Sequence, residues 1–335
     1  MVAPFLHNFF AQISKKTSTP HRIAEKLSII WGISRGTAYK KMRGETGLSA
    51  EELFLAAEHF GISLDECYVG LSDRVVARYP GLVGERPTPK GFVAALLHAM
   101  HQMEASGREG LHVRYSTNEI PVFYYLPYPA LTACKMYIWN QTAWDGSALT
   151  KGSAMEWMGP LLADVNFRAN CLSAFDTYAG IPSEEFYPIN MLDNTLNQLR
   201  FLRETRSIDK GFFDTVADEL LQMVKALSEA AAAGRKVLQG GIPGASLTVY
   251  HNEMMYSNNL ILLGNAQANL VFTTLDNPNY LVFQNDRVVG RIADWFERMQ
   301  QKSVRISTDA ERQRRRFFSA LERRIEAGEW RMPGD

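Results

Sequence analysis

The chain has 335 residues, of which 46% are hydrophobic and 21% charged, a length that suits about two domains with sizeable buried cores. Its basic and acidic residues cancel to a formal net charge of zero. That balance excludes a chain drawn as a whole to nucleic acid or to an anionic membrane, so any such binding must come from a local patch.

The first predicted element is an amphipathic helix carrying Phe5, Phe9 and Ile13, with Phe10 at its margin. Thr19-Pro20 opens a second helix, a cap followed by proline in the first turn, and Ile23, Leu27, Ile30 and Trp31 recur along it at helical spacing. Gly32 is placed for a sharp turn that needs positive φ. Ser34 is a good N-cap for a third helix, with Thr37 three residues on. Ala38 and Met42, four apart, share an inner face. Arg35, Gly36, Tyr39, Lys40 and Arg43 fall largely on the other faces, and Gly44 reads as the glycine that ends the helix. Ser49-Ala50-Glu51-Glu52 is a capping box. It starts a helix lined by Leu53, Ala56, Ala57 and Phe60 and stopped by Gly61, after which Ile62 and Leu64 close the core.

Residues 4–70 resemble the lambda-repressor-like, Cro-type (XRE) helix-turn-helix family. The resemblance rests on Gly32-Ile33-Ser34, the inward Ala38, Gly44 directly after the helix, and the segment from Leu48 ending in Gly61-Ile62-Ser63-Leu64-Asp65. It implies an all-α DNA-binding domain whose helix 35–42 enters the major groove. It further implies a DNA-contacting set of Ser34, Arg35, Gly36, Thr37, Tyr39, Lys40 and Arg43. In it Arg35 and Gly36 stand at the base-reading start, Tyr39 and Lys40 lie further along the groove face, and Arg43 takes the phosphate-contacting place. Arg35 has the fork that pairs with a guanine edge. Two positions depart from the family pattern. Ser28 stands where alanine is usual, and Gly36, at a reading position, has no side chain. Glu51, Glu52, Glu58, Asp65 and Glu66 crowd the next helix, so the domain is not broadly basic, and modest non-specific affinity with a need for dimerisation is expected.

Tyr79 to Pro89 is rich in proline and glycine and marks a linker, taken as residues 71–90 between domains at 1–70 and 91–331. Phe92, Leu96, Met100 and Met103 begin the second domain as a helix. The stretches 111–115, 120–126 and 134–139 are rich in β-branched and aromatic residues and read as strands, interrupted at Pro127 and Pro129. Residues 157–234 read as mostly helical, with Leu192, Leu196, Leu199 and Leu202 on one helix and Phe212 to Leu227 on another that stops at Gly234. Gly240 to Gly244 is a turn without the lysine of a phosphate loop. Strands are predicted at 247–250, 259–263, 270–274 and 280–284, then helices at 288–302 and 309–327. The fold expected is an all-α helix-turn-helix domain followed by a larger α+β (mixed α/β) domain.

Four further constellations invite a chemical reading. His98, His101 and Glu104 form a stripe at steps of three, which drifts around a helix and reads as a polar edge rather than a metal site. Tyr115, Phe123, Tyr124, Tyr125, Tyr128, Tyr137, Trp139, Trp144 and Trp157 suit either a plain core or the walls of a small-ligand pocket. Arg312, Arg314, Arg315, Arg316, Arg323 and Arg324 read as a solvated face paired with Glu311, Glu322 and Glu326 rather than as phosphate contacts. Cys67, Cys134 and Cys171, few and widely separated, argue against a disulfide framework and for a reducing compartment, each thiol buried and inert. The amino-terminal segment lacks the pattern of a signal peptide and no run suits a bilayer span, so a cytoplasmic protein without a membrane partner is expected. His112 and His251 are isolated, and no order or spacing typical of nucleophilic or zinc catalysis stands out. The reading is a sequence-specific, DNA-binding transcriptional regulator, not an enzyme, with no cofactor or metal. Its second domain pairs two copies and receives a small-molecule or protein effector. The competing reading is an enzyme or protein-binding adaptor that carries the helix-turn-helix as a targeting module.

Overall fold

The computed structural model describes residues 4–17, 19–69, 75–80, 87–105, 107, 109–144, 154–254, 259–266 and 268–326. The chain divides into two compact units, Met1–Ala77 and Arg78–Asp335.

Among its described residues the smaller unit has five helices: α1 (Pro4–Lys16), α2 (Pro20–Trp31), α3 (Arg35–Met42), α4 (Ala50–Phe60) and α5 (Leu64–Val69). Their ends follow the capping residues. Thr19 caps α2 by accepting from the Arg22 N–H, with Pro20 in the first turn. Gly32 (φ 63°) and Gly61 (φ 58°) close α2 and α4 in the left-handed conformation. Ser49 and Glu52 form the reciprocal capping box of α4. One core joins Phe9 and Ile13 of α1, Ile23, Ala24 and Leu27 of α2, Ala38 of α3, and Ala56, Ala57 and Phe60 of α4, with Ile62 and Cys67 beyond.

The larger unit is mixed α and β. In chain order it runs α6 (Pro89–Ala105), β1 (His112–Ser116), α7 (Val122–Tyr125), α8 (Pro129–Trp139), a π-helical turn at Asn140–Trp144, α9 (Ala154–Ala163) and α10 (Val165–Ala179). It continues through β2 (Ser183–Tyr187), α11 (Asp193–Glu204), α12 (Lys210–Ala233), β3 (Arg235–Val237), β4 (Pro243–His251), β5 (Leu260–Gly264), β6 (Asn269–Asp276) and β7 (Asn279–Phe283). Helix α13 (Asp286–Gln301), β8 (Val304–Arg305) and α14 (Glu311–Glu326) complete it. The sheet order is β3-β4-β2-β1-β5-β6-β7, with β8 on β4. Strands β1, β2 and β4 are mutually parallel, and β5, β6 and β7 continue the sheet antiparallel.

Alternation along each strand sorts the sheet into two faces. Val113, Tyr115, Tyr187, Leu247, Val249 and Leu263 face the large core shared with the helices α6 to α12 and α14. Phe186, Tyr250, Leu262 and Val271 face α13, whose Phe296 is fully buried. Arg114, on that second face, pairs with Glu184 of β2 and Glu297 of α13.

Three expectations are corrected. Within 120–126 the residues Val122–Tyr125 form α7 rather than a strand, and 134–139 belongs to α8. Residues Ala130 to Tyr137 are all buried, and a helix apolar on every side loses its 3.6-residue period and imitates a buried strand. Pro129 opens α8 in its first turn instead of breaking a strand. Within the region read as helical, Ser183–Tyr187 forms the central strand β2. Of the expected linker, residues 71–74 and 81–86 lie outside the described residues. Arg78 bridges β7, its N–H donating to the Val282 carbonyl and its carbonyl accepting from the Val282 N–H.

Candidate nucleic-acid interface

Helix α3 is held by its ends and by one small side chain. The Ser34 hydroxyl accepts from the Thr37 N–H at 3.1 Å and lies 2.9 Å from the Thr37 hydroxyl. At the other end the Gly44 N–H donates to the Lys41 carbonyl, with Gly44 at φ 71°. Ala38 is fully buried, and Met42 packs on the same core half-buried. A methyl at this point lets α3 lie close against α2. The turn before α3 is held by the backbone, the Gly32 N–H donating to the Ile29 carbonyl and the Ile33 N–H to the Ser28 carbonyl.

The outer side of α3 carries Arg35, Gly36, Lys40 and Arg43, all exposed. Arg35 pairs with Glu25 of α2, and Arg43 Nε lies 2.7 Å from Glu45. Lys40 makes no ion pair among the described residues. Lys41 has a different task. Its Nζ donates to the Gly47 carbonyl at 2.6 Å and to Glu52 at 2.9 Å, tying the loop after α3 to α4. Burial raises the Glu52 carboxyl, but the Ser49 N–H and Lys41 outweigh it and hold the group below its usual range. Tyr39 packs half-buried against the core, so only part of its ring belongs to the outer surface. At Gly36 an added Cβ would meet nothing closer than Ser34 Oγ at 3.8 Å, so packing does not require glycine there. Ser28, the departure in α2, donates its hydroxyl back to the Glu25 carbonyl at 2.7 Å.

The other candidate constellations resolve differently. His98 Nε2 lies 2.8 Å from Gln102 Nε2, and no group of three potential metal ligands occurs among the described residues. Of the arginine run, Arg315 pairs with Glu311, Arg314 donates to the Thr308 carbonyl, and Arg324 reaches Asp193 and the Ile189 carbonyl. Arg312, Arg316 and Arg323 are exposed. All three cysteines are buried thiols. Burial pushes Cys134 up to about 12 against the pull of Lys135, and Cys171 likewise to about 12. The aromatic residues sit in or against the large core, with Phe123 stacked on Tyr178 at 4.1 Å.

Two buried polar clusters were not anticipated from the residues. The first surrounds Glu185, fully buried at the centre of β2. Its Oε1 accepts from Ser183 (2.7 Å), Tyr178 (2.6 Å) and Tyr124 (3.0 Å), and its Oε2 from Tyr187. Lys236 Nζ lies 3.9 Å from the same carboxylate and 3.7 Å from the Tyr178 ring centroid, and donates to the carbonyls of Tyr178 and Ile181. Burial drives Lys236 down to about 8 against the pull of Glu185. The same burial, with Glu185 alongside, raises Tyr124, Tyr178 and Tyr187 well above 10. The second cluster pairs Lys135 of α8 with Glu119 at 3.2 Å. Lys135 also donates to Gln198, and Asn194 donates to the other Glu119 oxygen. Burial raises Glu119, but Lys135 and the amides hold it below its usual range. The first cluster leaves one trace in the sequence, a glutamate at an inward strand position beside aromatics, which polar composition disguises.

We find no family model, no curated protein and no solved structure that matches the chain. Among the described residues no helix is long and apolar enough to cross a membrane.

Proposed function

We propose that the chain is a sequence-specific DNA-binding regulator whose smaller unit presents α3 to the major groove. The carrying observation is the asymmetry of α3, with Ala38 buried on one side and Arg35, Lys40 and Arg43 exposed on the other, set on a turn closed by Gly32 and Ser34. This agrees with the resemblance to lambda-repressor-like domains. The pairs Arg35–Glu25 and Arg43–Glu45 are solvent-exposed, and such pairs are worth about 0–1 kcal/mol. Exchanging Glu25 or Glu45 for a phosphate or a guanine edge therefore costs little. Lys40 is ready for a phosphate without exchange. Tyr39 contributes through its exposed edge, and direct readout leans on Arg35. The larger unit is read as the part that pairs two copies and receives an effector.

The test is fluorescence anisotropy of the full chain on duplex DNA across a salt series. Binding is expected to weaken linearly in log salt, and Lys40→Ala to flatten the slope by about one. Binding that ignores salt, or is unchanged in Lys40→Ala combined with Arg43→Ala, would count against the reading.

A further inference from the structure

The cleft at the carboxyl end of β1 lies wholly within the larger unit. Strands β1, β2 and β4 point their carboxyl ends to this side of the sheet, where ligands of open α/β sheets commonly sit. Antiparallel β5 begins at the same end, since Ser116 pairs with Leu260, and the β6–β7 turn returns there. Four chain segments thus converge. Residues 117–120 bring Glu119, the start of β5 brings Asn259, the β6–β7 turn brings Asn277, and α8 brings Trp139.

The cleft, open to solvent at its mouth, spans about 260 Å³ of empty space. Half-buried Phe92, Asn259, Asn277 and Tyr280 form its mouth, and buried Tyr115, Glu119, Tyr125 and Trp139 its floor. At the floor two polar groups lack partners of good geometry. Trp139 Nε1 is buried and unpaired, and so is the Tyr125 hydroxyl, which lies near the Ile120 N–H and the Thr195 hydroxyl without closing a bond to either. A buried unpaired donor is costly and calls for a partner. The two rings flank one ammonium, with Lys135 Nζ 5.4 Å from the Tyr125 centroid and 5.8 Å from that of Trp139. Both residues line the same cleft.

We propose that this cleft binds a small uncharged compound through an amide-type carbonyl, with the Trp139 indole N–H as donor and the Tyr125 hydroxyl as second partner. The chemistry follows from the lining. An indole N–H only donates, so the group that reaches it is an acceptor. Lys135 and Glu119 already balance each other, so a net charge would enter a buried site without a counter-charge. The cleft as a whole leaves free space for roughly one water, which admits a carbonyl oxygen and no ring. The body of the compound stays in the mouth, against Phe92 and Tyr280 and within reach of the Asn259 and Asn277 amides. Binding itself is independent of the DNA reading. Only its consequence, a change in operator affinity, rests on the larger unit being the effector-receiving part.

The experiment uses the full chain labelled with [15N]tryptophan, whose six tryptophans give six indole signals, that of Trp139 assigned with Trp139→Phe. 2-Pyridone, uracil and nicotinamide are the uncharged amide probes, and pyridine and nicotinate are the controls. At least one amide probe is expected to move the Trp139 signal saturably, with pyridine and nicotinate binding roughly tenfold more weakly or worse. Tyr125→Phe keeps the ring and is expected to weaken the same probe by roughly fivefold, which serves as well should Trp139→Phe fail to fold. An unmoved Trp139 signal at roughly 10 mM of every amide probe would overturn the proposal, since even millimolar affinity fills most sites there. So would equal shifts from pyridine or nicotinate. The DNA reading is scored on α3 variants alone, so the two fail separately.

Discussion

At the residue scale the larger unit turns on Glu185. A carboxylate without solvent is tolerated only when its lone pairs are filled, and here four hydroxyls and the nearby Lys236 fill them. Removing the side chain would leave Lys236 as an uncompensated buried charge and three tyrosine hydroxyls without an acceptor. Glu185→Ala is therefore expected to lower stability by about 3–5 kcal/mol. Glu185→Gln preserves the shape and one acceptor oxygen and should cost clearly less. Urea unfolding midpoints of the two variants check this, and equal losses would assign the effect to packing instead. In the smaller unit the comparable residue is Ala38, whose methyl sets the distance of α3 from its neighbours, while Arg35 and Arg43 are occupied by carboxylates that can be exchanged.

At the element scale, α3 is short and depends on its ends, and Gly36 is its weakest position. Glycine in a helix costs about 0.5–1 kcal/mol relative to alanine, and a Cβ there meets only ordinary contact. Gly36→Ala is thus expected to raise the melting temperature of the smaller unit's transition and, on the proposed DNA reading, to weaken binding, because the added methyl would stand on the side presented to the groove. Calorimetry and anisotropy on the same variant check both halves. A gain in both would show that the glycine serves no close approach. The elements of the smaller unit were readable in advance because Thr19, Gly32, Ser34, Ser49 and Gly61 are local signals, acting within a few residues. In the larger unit local signals likewise mark α11, α12 and α13, and β-branched runs between turns mark β4 to β7. Such signals vanish where burial is complete. Helix α8 has no polar side to reveal its period, and β2 carries Ser183, Glu184 and Glu185 at the centre of the sheet. Glu119 and Lys135 were invisible for a related reason, since their pairing joins a loop to a helix face and leaves no spacing in the chain.

At the scale of the whole molecule, buried ionisable groups set how stability responds to alkali. Lys236 titrates at about 8 when folded and near its ordinary value of 10.5 when unfolded. Between those values the unfolded chain holds a proton that the native chain lacks, so this lysine adds stability as pH rises. Cys134 and Cys171, at about 12 when folded against 9.0 when unfolded, act in reverse. Their contribution is complete below about pH 9 and is lost as pH rises toward 12. The buried tyrosines, raised above 10.0, add to that loss. Stability of the larger unit should therefore peak at about pH 9 and fall steeply above 10. Lys236→Met is expected to remove the rising limb, and urea midpoints from pH 7 to 11 check the shape.

Whether α3 reads DNA is tested most directly by enriching bound sequences from a random pool of duplex DNA with the full chain. A recurring motif is expected, with the preference at one base pair relaxed by about 1–3 kcal/mol in Arg35→Ala and overall retention reduced in Lys40→Ala. Recovery of no motif, or of the same motif with equal strength from the Arg35→Ala, Lys40→Ala double variant, would contradict the assignment of α3 as the reading element.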